Sequence, residues 1–172
     1  MSSLQLKERQ LWNAAEEGNL EVVKDLANDP TVNVNWIGPE RGDTPLHRAC
    51  RFGHRQVVEF LLSHPAVDVN AGNAGQATPF YIACQCGRDD IMSLLLTDHR
   101  IAINQRQKDG VTPFFYACQN GTMKVVTLLL AHLRIDINKP ANDQCTPLWV
   151  ASHEGRLNVV QFLLVSGREV NT

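Results

Sequence analysis

Apolar residues recur along this chain in short runs that copy one another. Val57-Val58-Glu59-Phe60-Leu61-Leu62 is followed by Ile91 to Leu96, Val125 to Leu130 and Val159 to Leu164. Ahead of each run stands a second, shorter pattern. Thr44-Pro45-Leu46-His47-Arg48-Ala49-Cys50 returns as Thr78-Pro79-Phe80-Tyr81-Ile82-Ala83-Cys84, as Thr112-Pro113-Phe114-Phe115-Tyr116-Ala117-Cys118 and as Thr146-Pro147-Leu148-Trp149-Val150-Ala151-Ser152. A threonine before proline predicts a helix start, because its hydroxyl can accept a hydrogen bond from an otherwise unpaired helical N–H. Proline in the first helical position loses no bond, since that donor would be orphaned anyway. Gly53, Gly87, Gly121 and Gly155 each follow the alanine by four residues and predict the helix end. After the longer run comes a β-branched stretch closing on asparagine, as in Val67-Asp68-Val69-Asn70, Ile101-Ala102-Ile103-Asn104 and Ile135-Asp136-Ile137-Asn138. The predicted unit is therefore helix, turn, helix and extended finger.

The Thr-Pro pairs at 44, 78, 112 and 146 are spaced by 34 residues each time. A fixed period in this range predicts a solenoid of stacked units. Residues 1–35 read as a disguised first copy. Ala14 aligns with Ala49, Gly18 with Gly53 and Asn35 with Asn70, while Arg9-Gln10 replace Thr-Pro. An atypical terminal copy with polar cover from Glu16, Glu17 and Glu21 is what a cap requires. Its helices are predicted near Gln5 to Glu17 and Leu20 to Ala27. The repeats are expected over about 1–35, 36–70, 71–104, 105–138 and 139–172, in one domain.

With the T-P-L-H-x-A pattern and a unit of two helices and a turn, the chain resembles the ankyrin repeat family over nearly its whole length. The resemblance implies an all-α solenoid with β-hairpin-like fingers. It also implies a non-catalytic scaffold that binds a partner protein on a concave side built from fingertips and first helices. Carried over by position, the helix residues are Arg51-Phe52, Gln85-Cys86, Gln119-Asn120 and His153-Glu154. The fingertips supply Trp36, Glu40, Arg41 and Asp43, then Asn73, Ala74, Gly75 and Ala77. Further along come Arg106, Lys108, Asp109 and Val111, then Asn142, Asp143 and Cys145. Trp36, Arg41, Arg51, Phe52, Gln85, Lys108, Gln119, Asn120, His153 and Glu154 are the expected partner-binding residues, with Phe52 the foremost anchor. Trp36 is expected to fold back on the neighbouring finger, with a binding anchor as the alternative. Gly75-Gln76-Ala77-Thr78 and Asp143-Gln144-Cys145-Thr146 lack the glycine that Asp109-Gly110-Val111-Thr112 keeps at the finger turn. The resemblance further suggests asparagine hydroxylation in the Asp68-Val69-Asn70 and Asp136-Ile137-Asn138 segments.

The signature histidine position reads Trp12, His47, Tyr81, Phe115 and Trp149 through the five copies. A packed aromatic seam is expected there, because an exposed apolar stripe of that length would promote aggregation. His64, His99 and His132 are expected at the surface, in loops after the second helices.

Composition narrows the function. The net charge is −2, with no polybasic tract to supply the electrostatic part of nucleic-acid binding. No stretch is long and apolar enough for a membrane span, and no signal peptide is expected, so an intracellular setting, cytoplasmic or nuclear, is anticipated. Cys50, Cys84 and Cys118 recur beside the packed alanine and read as small buried hydrophobes. Neither a phosphate loop, a nucleophile elbow nor a metal-ligand pair is found, so no cofactor, metal or enzyme is expected. The last apolar run, Val159 to Val165, is as apolar as the interior copies. A longer array is the first expectation, with end-to-end self-association or partner cover of the C-terminal repeat as the alternative. The array would then be the recognition segment of a longer enzyme or channel, or else a stand-alone inhibitor or adaptor.

The alanine register yields a direct expectation. Ala117→Leu should overpack the stack and lower unfolding stability by about 1–3 kcal/mol in urea titration. Unchanged stability would place Ala117 outside the core.

Overall fold

The structure is a computed structural model describing residues 2–171. Those residues form ten α-helices linked by turns, with no strand among them. They are α1 (Ser3–Glu17), α2 (Leu20–Ala27), α3 (Pro45–Phe52), α4 (Arg55–Ser63), α5 (Pro79–Gln85), α6 (Asp89–Thr97), α7 (Pro113–Asn120), α8 (Met123–Leu130), α9 (Pro147–His153) and α10 (Leu157–Val165). Contacts divide the chain into two compact units, Met1–Ile101 and Ala102–Thr172.

In the first unit α1, α3 and α5 pack side by side and pair with α2, α4 and α6 as hairpins. In the second, α7 packs on α9, with α8 and α10 as their hairpin partners. The threonine hydroxyls cap α3, α5, α7 and α9 as the sequence predicts, accepting from the N–H of His47, Tyr81, Phe115 and Trp149. Helix α1 begins two residues earlier than expected. Ser2 and Gln5 form a reciprocal capping box, which satisfies two donors that would otherwise be orphaned. Ala15, Ala49, Ala83 and Ala151 are fully buried and let neighbouring first helices approach closely.

Gly18 shows why its position admits no side chain. Its φ is +76°, and a Cβ there would come within 2.4 Å of the His54 ring. The His54 ring must lie close because its Nε2 bonds to the Glu16 carbonyl at 2.6 Å. Arg88 and Arg156 repeat this arrangement, donating to the Arg51 and Gln119 carbonyls at 2.9 Å. Each of these side chains ties a second helix to the C-terminal end of the preceding first helix.

The fingers are tight turns, each closed by a backbone bond of 3.0 Å: Gly38 to Asp43, Asn73 to Ala77, Gln107 to Val111 and Ala141 to Cys145. The two that lack glycine keep the same turn, because Gln76 (φ 62°) and Gln144 (φ 69°) adopt the left-handed conformation of Gly42 and Gly110. That conformation costs a non-glycine residue about 1 kcal/mol. Asparagine side chains stitch the bases of successive fingers together. Asn35 donates to Ala66 O at 2.7 Å and accepts from Asp68 N at 2.8 Å. Asn104 does the same with Arg134 O and Asp136 N, at 2.7 and 2.9 Å.

The aromatic seam is buried at four of its five positions: Trp12, His47, Tyr81 and Phe115. Trp12 donates its indole N–H to Asp43 O at 2.7 Å, and His47 Nε2 donates to Ala77 O at 2.8 Å. The His47 Nδ1 accepts from Thr44 N–H at 3.1 Å, which assigns the proton to Nε2. Trp149 departs from the expected seam at 50% exposure, since no finger lies over it among the described residues. Of the loop histidines only His99 is exposed; His64 and His132 are half-buried.

Burial pushes the His47 pKa below its ordinary value, against the upward pull of the Ala77 bond and the Asp43 carboxylate. The folded state therefore holds this ring neutral where the unfolded chain would take up a proton. Its contribution to stability is present above pH of about 6.5 and is lost as pH falls, by up to about 1.4 kcal/mol per pH unit. Urea titrations between pH 7.5 and 5 should show a steeper acid loss in the wild type than in His47→Gln. Equal slopes would contradict this assignment.

Candidate binding surface

The first unit presents an aromatic built on a buried cation. Arg48 in α3 is almost fully buried, with its guanidinium 4.1 Å from the Trp12 ring centroid and 5.2 Å from that of Phe52. Its charge is balanced by an ion pair with Glu16 and by the Glu40 carboxylate at 3.7 Å. Phe52 closes α3 at 40% exposure, and the nearly parallel His54 ring lies 6.4 Å from it. An aromatic side chain held in this way can offer apolar area at little cost in side-chain entropy.

Other predicted residues of this unit are placed differently from one another. Arg51 pairs with Asp43 at 2.9 Å, and its side chain is only 15% exposed. Asp43, expected at a fingertip, is instead fully buried and also accepts from Asn73 Nδ2 at 2.8 Å. Ala77 is buried as well. Arg41 and Gln85 are exposed. Trp36 is half-buried and shares a cleft of about 380 Å³ with Ile37, Pro39, Gln5 and Arg9. Two of those neighbours belong to α1, so Trp36 lies toward a helix as well as its own finger.

In the second unit the finger and first-helix residues enclose a groove of about 590 Å³. Its walls are Asp109, Val111, Ala141, Asn142, Asp143 and Cys145 from the fingers, Phe115 and Gln119 from α7, and Trp149, Val150, His153 and Glu154 from α9 and its cap. Of the predicted residues it gathers Gln119, His153 and Glu154. Lys108 and Asn120 are exposed elsewhere, and Asn120 borders a separate cleft beside Gly121 and Leu157. The His153 and Trp149 rings stack at 4.9 Å with an interplanar angle of 13°, and His153 Nδ1 is 3.6 Å from Glu154 Oε1. The backbone N–H of Cys145, bonded at 3.0 Å, holds the Asp143 carboxyl below the ordinary carboxylate range.

Trp149 is the groove residue that sequence reasoning placed in a buried seam. The signal for it lay in the register: Trp12 and His47 each bond to the following finger, and Trp149 sits in the last copy of the motif. Cys50, Cys84 and Cys118 are buried and their thiol pKa values are pushed up by that burial. Among the described residues no group of three or more His, Cys, Asp or Glu is arranged to hold a metal. No helix among them is long and apolar enough to cross a membrane.

The family profile described as ankyrin repeats (3 copies) matches residues 11–107 and again 98–172. Among curated proteins, oxysterol-binding protein-related protein 1 of Homo sapiens is 43% identical over 74 residues, covering 38% of this chain and 8% of that protein. Osteoclast-stimulating factor 1 of Bos taurus is 38% identical over 60 residues, covering 35% of this chain and 27% of the relative. The serine/threonine-protein kinase TNNI3K of Mus musculus is 44% identical over 52 residues, covering 30% of this chain and 6% of the kinase. The chain thus spans no more than 27% of the length of these relatives.

The burial of Asp43 carries a stability prediction. Asp43→Ala removes the partner of Arg51 and the acceptor of Asn73, and should cost about 3 kcal/mol in thermal or urea unfolding. A change below about 0.5 kcal/mol would mean that the pair is solvated and dispensable.

Proposed function

Because the chain belongs to the ankyrin repeat family, whose repeats are in general protein–protein interaction modules, we propose that it is a non-catalytic scaffold binding a partner protein through its finger and first-helix surface. The observation that carries this reading is Phe52, exposed at the end of α3 beside a buried arginine and a histidine ring. A large aromatic kept in water on a rigid support is suited to anchoring a partner. The groove of the second unit supports the same reading. Arg51 is withdrawn from the contact set by its bond to Asp43; Phe52, Gln85, Arg41 and Trp36 remain in the first unit, and Lys108, Gln119, Asn120, His153 and Glu154 in the second. The partner class is protein rather than nucleic acid, in line with a net charge of −2. The setting is intracellular.

A second reading is favoured by the kinase relative, which shares with this chain only 6% of its own length. Under it, the repeats are the recognition segment of a longer enzyme or channel, and any chemistry belongs to another part of that protein.

Capture of partners from lysate tests the binding surface. Phe52→Ala and Lys108→Glu, each made alone, should include at least one variant that loses a captured protein about tenfold by quantitative mass spectrometry. Glu59→Lys on α4 should retain it. Loss with Glu59→Lys and retention with both surface variants would move the site to the second helices.

A further inference from the structure

The groove of the second unit has a chemical bias that the rest of the surface reading does not use. Three carboxylates, Asp109, Asp143 and Glu154, line it, and no lysine or arginine does. The ends of α7 and α9 reach it through Gln119, His153 and Glu154, so the negative ends of two helix dipoles add to the same potential. Trp149 stands among these groups, half exposed, with one face covered by His153. The first unit shows what an aromatic at this seam position does with a cation: Trp12 holds the Arg48 guanidinium 4.1 Å from its ring centroid. It also shows what the indole N–H does, which is donate to a backbone carbonyl of a neighbouring finger, at 2.7 Å from Trp12 to Asp43.

We propose that this groove binds an extended, basic segment of a partner protein. A lysine or arginine of that segment stacks on the open face of Trp149 among the three carboxylates. The chemistry follows from charge complementarity with an acidic lining and from the preference of a desolvated tryptophan face for a guanidinium or ammonium group. The inference rests on the protein-binding reading above and gives that reading a partner class for the second unit.

The test is a titration of the 172-residue chain with a nine-residue peptide of alternating alanine and arginine, and with its counterpart bearing glutamate for arginine. Binding is read by calorimetry and by the indole N–H resonance that disappears in Trp149→Phe. The basic peptide should shift that resonance saturably, and should bind at least tenfold more tightly than the acidic one. Affinity should fall at least fivefold in Trp149→Ala and in the double variant Asp143→Asn, Glu154→Gln, and should weaken with added salt. Thermal unfolding of each variant checks that it remains folded; as Trp149 is half exposed, Trp149→Phe provides a milder second variant. Equal binding of the two peptides, affinity unchanged in both groove variants, or no binding up to millimolar peptide would overturn the proposal. So would a concentration-dependent doubling of mass that Trp149→Ala abolishes, which would make a second copy of this chain the occupant. If the proposal fails while capture still depends on Phe52 or Lys108, the protein-binding reading stands without it.

Discussion

Side chains that reach across to a neighbouring repeat and end on its backbone are the interaction on which this structure depends. His47 on Ala77 O, Trp12 on Asp43 O, Asn35 on Ala66 O and Asp68 N, and Asn104 on Arg134 O and Asp136 N all follow one rule. A short helix of seven to nine residues has no stability of its own in water. Burial of Val57, Leu61, Ile91 and Leu95 in the first unit, or Val125, Leu129 and Leu163 in the second, supplies the driving force. That force, with the bonds that close each turn, still leaves some backbone groups between the repeats unpaired. The reaching side chains complete the pairing, and they do so only if the next repeat is in register. Stability is consequently a property of neighbours rather than of single units.

This division of labour leaves a surface free for function. The frame uses Thr, Pro, Ala, Gly and Asn at fixed positions, and those residues are mostly buried or bonded to backbone. Residues between them vary from copy to copy and face solvent at finger tips and helix ends. Some apparent surface residues belong to the frame nonetheless. Arg51 is held by Asp43, and Arg88 and Arg156 are spent on helix-end carbonyls. The exposed side chains that remain include two aromatics with rigid supports, Phe52 in one unit and Trp149 in the other.

Much of the fold is legible from the period of the sequence. Thr-Pro fixes four helix starts, and α2 spans the predicted Leu20–Ala27. The early start of α1 escapes because its cap is Ser2 with Gln5 rather than Thr-Pro. The turns at Gln76 and Gln144 look doubtful in sequence because glycine is missing. They hold their shape because the closing bond and the neighbouring finger over-determine the backbone. The candidate surface is less legible. Position in a motif tells which way a residue tends to face, but pairing with a distant charge decides whether it is free, and Asp43 with Arg51 is invisible to the period. Trp149 escapes for a related reason, since its burial would depend on a finger that the motif places after it.

Hydrogen exchange of the chain alone and in complex with a captured partner tests the account at its centre. Slowed exchange should appear in the finger turns at 38–43, 73–77, 107–111 or 141–145 and in first helices adjoining them, while the solvent faces of α2, α4, α6, α8 and α10 stay unchanged. Protection confined to those second helices, with the fingers unaltered, would contradict the claim that the fingers and first helices are the binding surface.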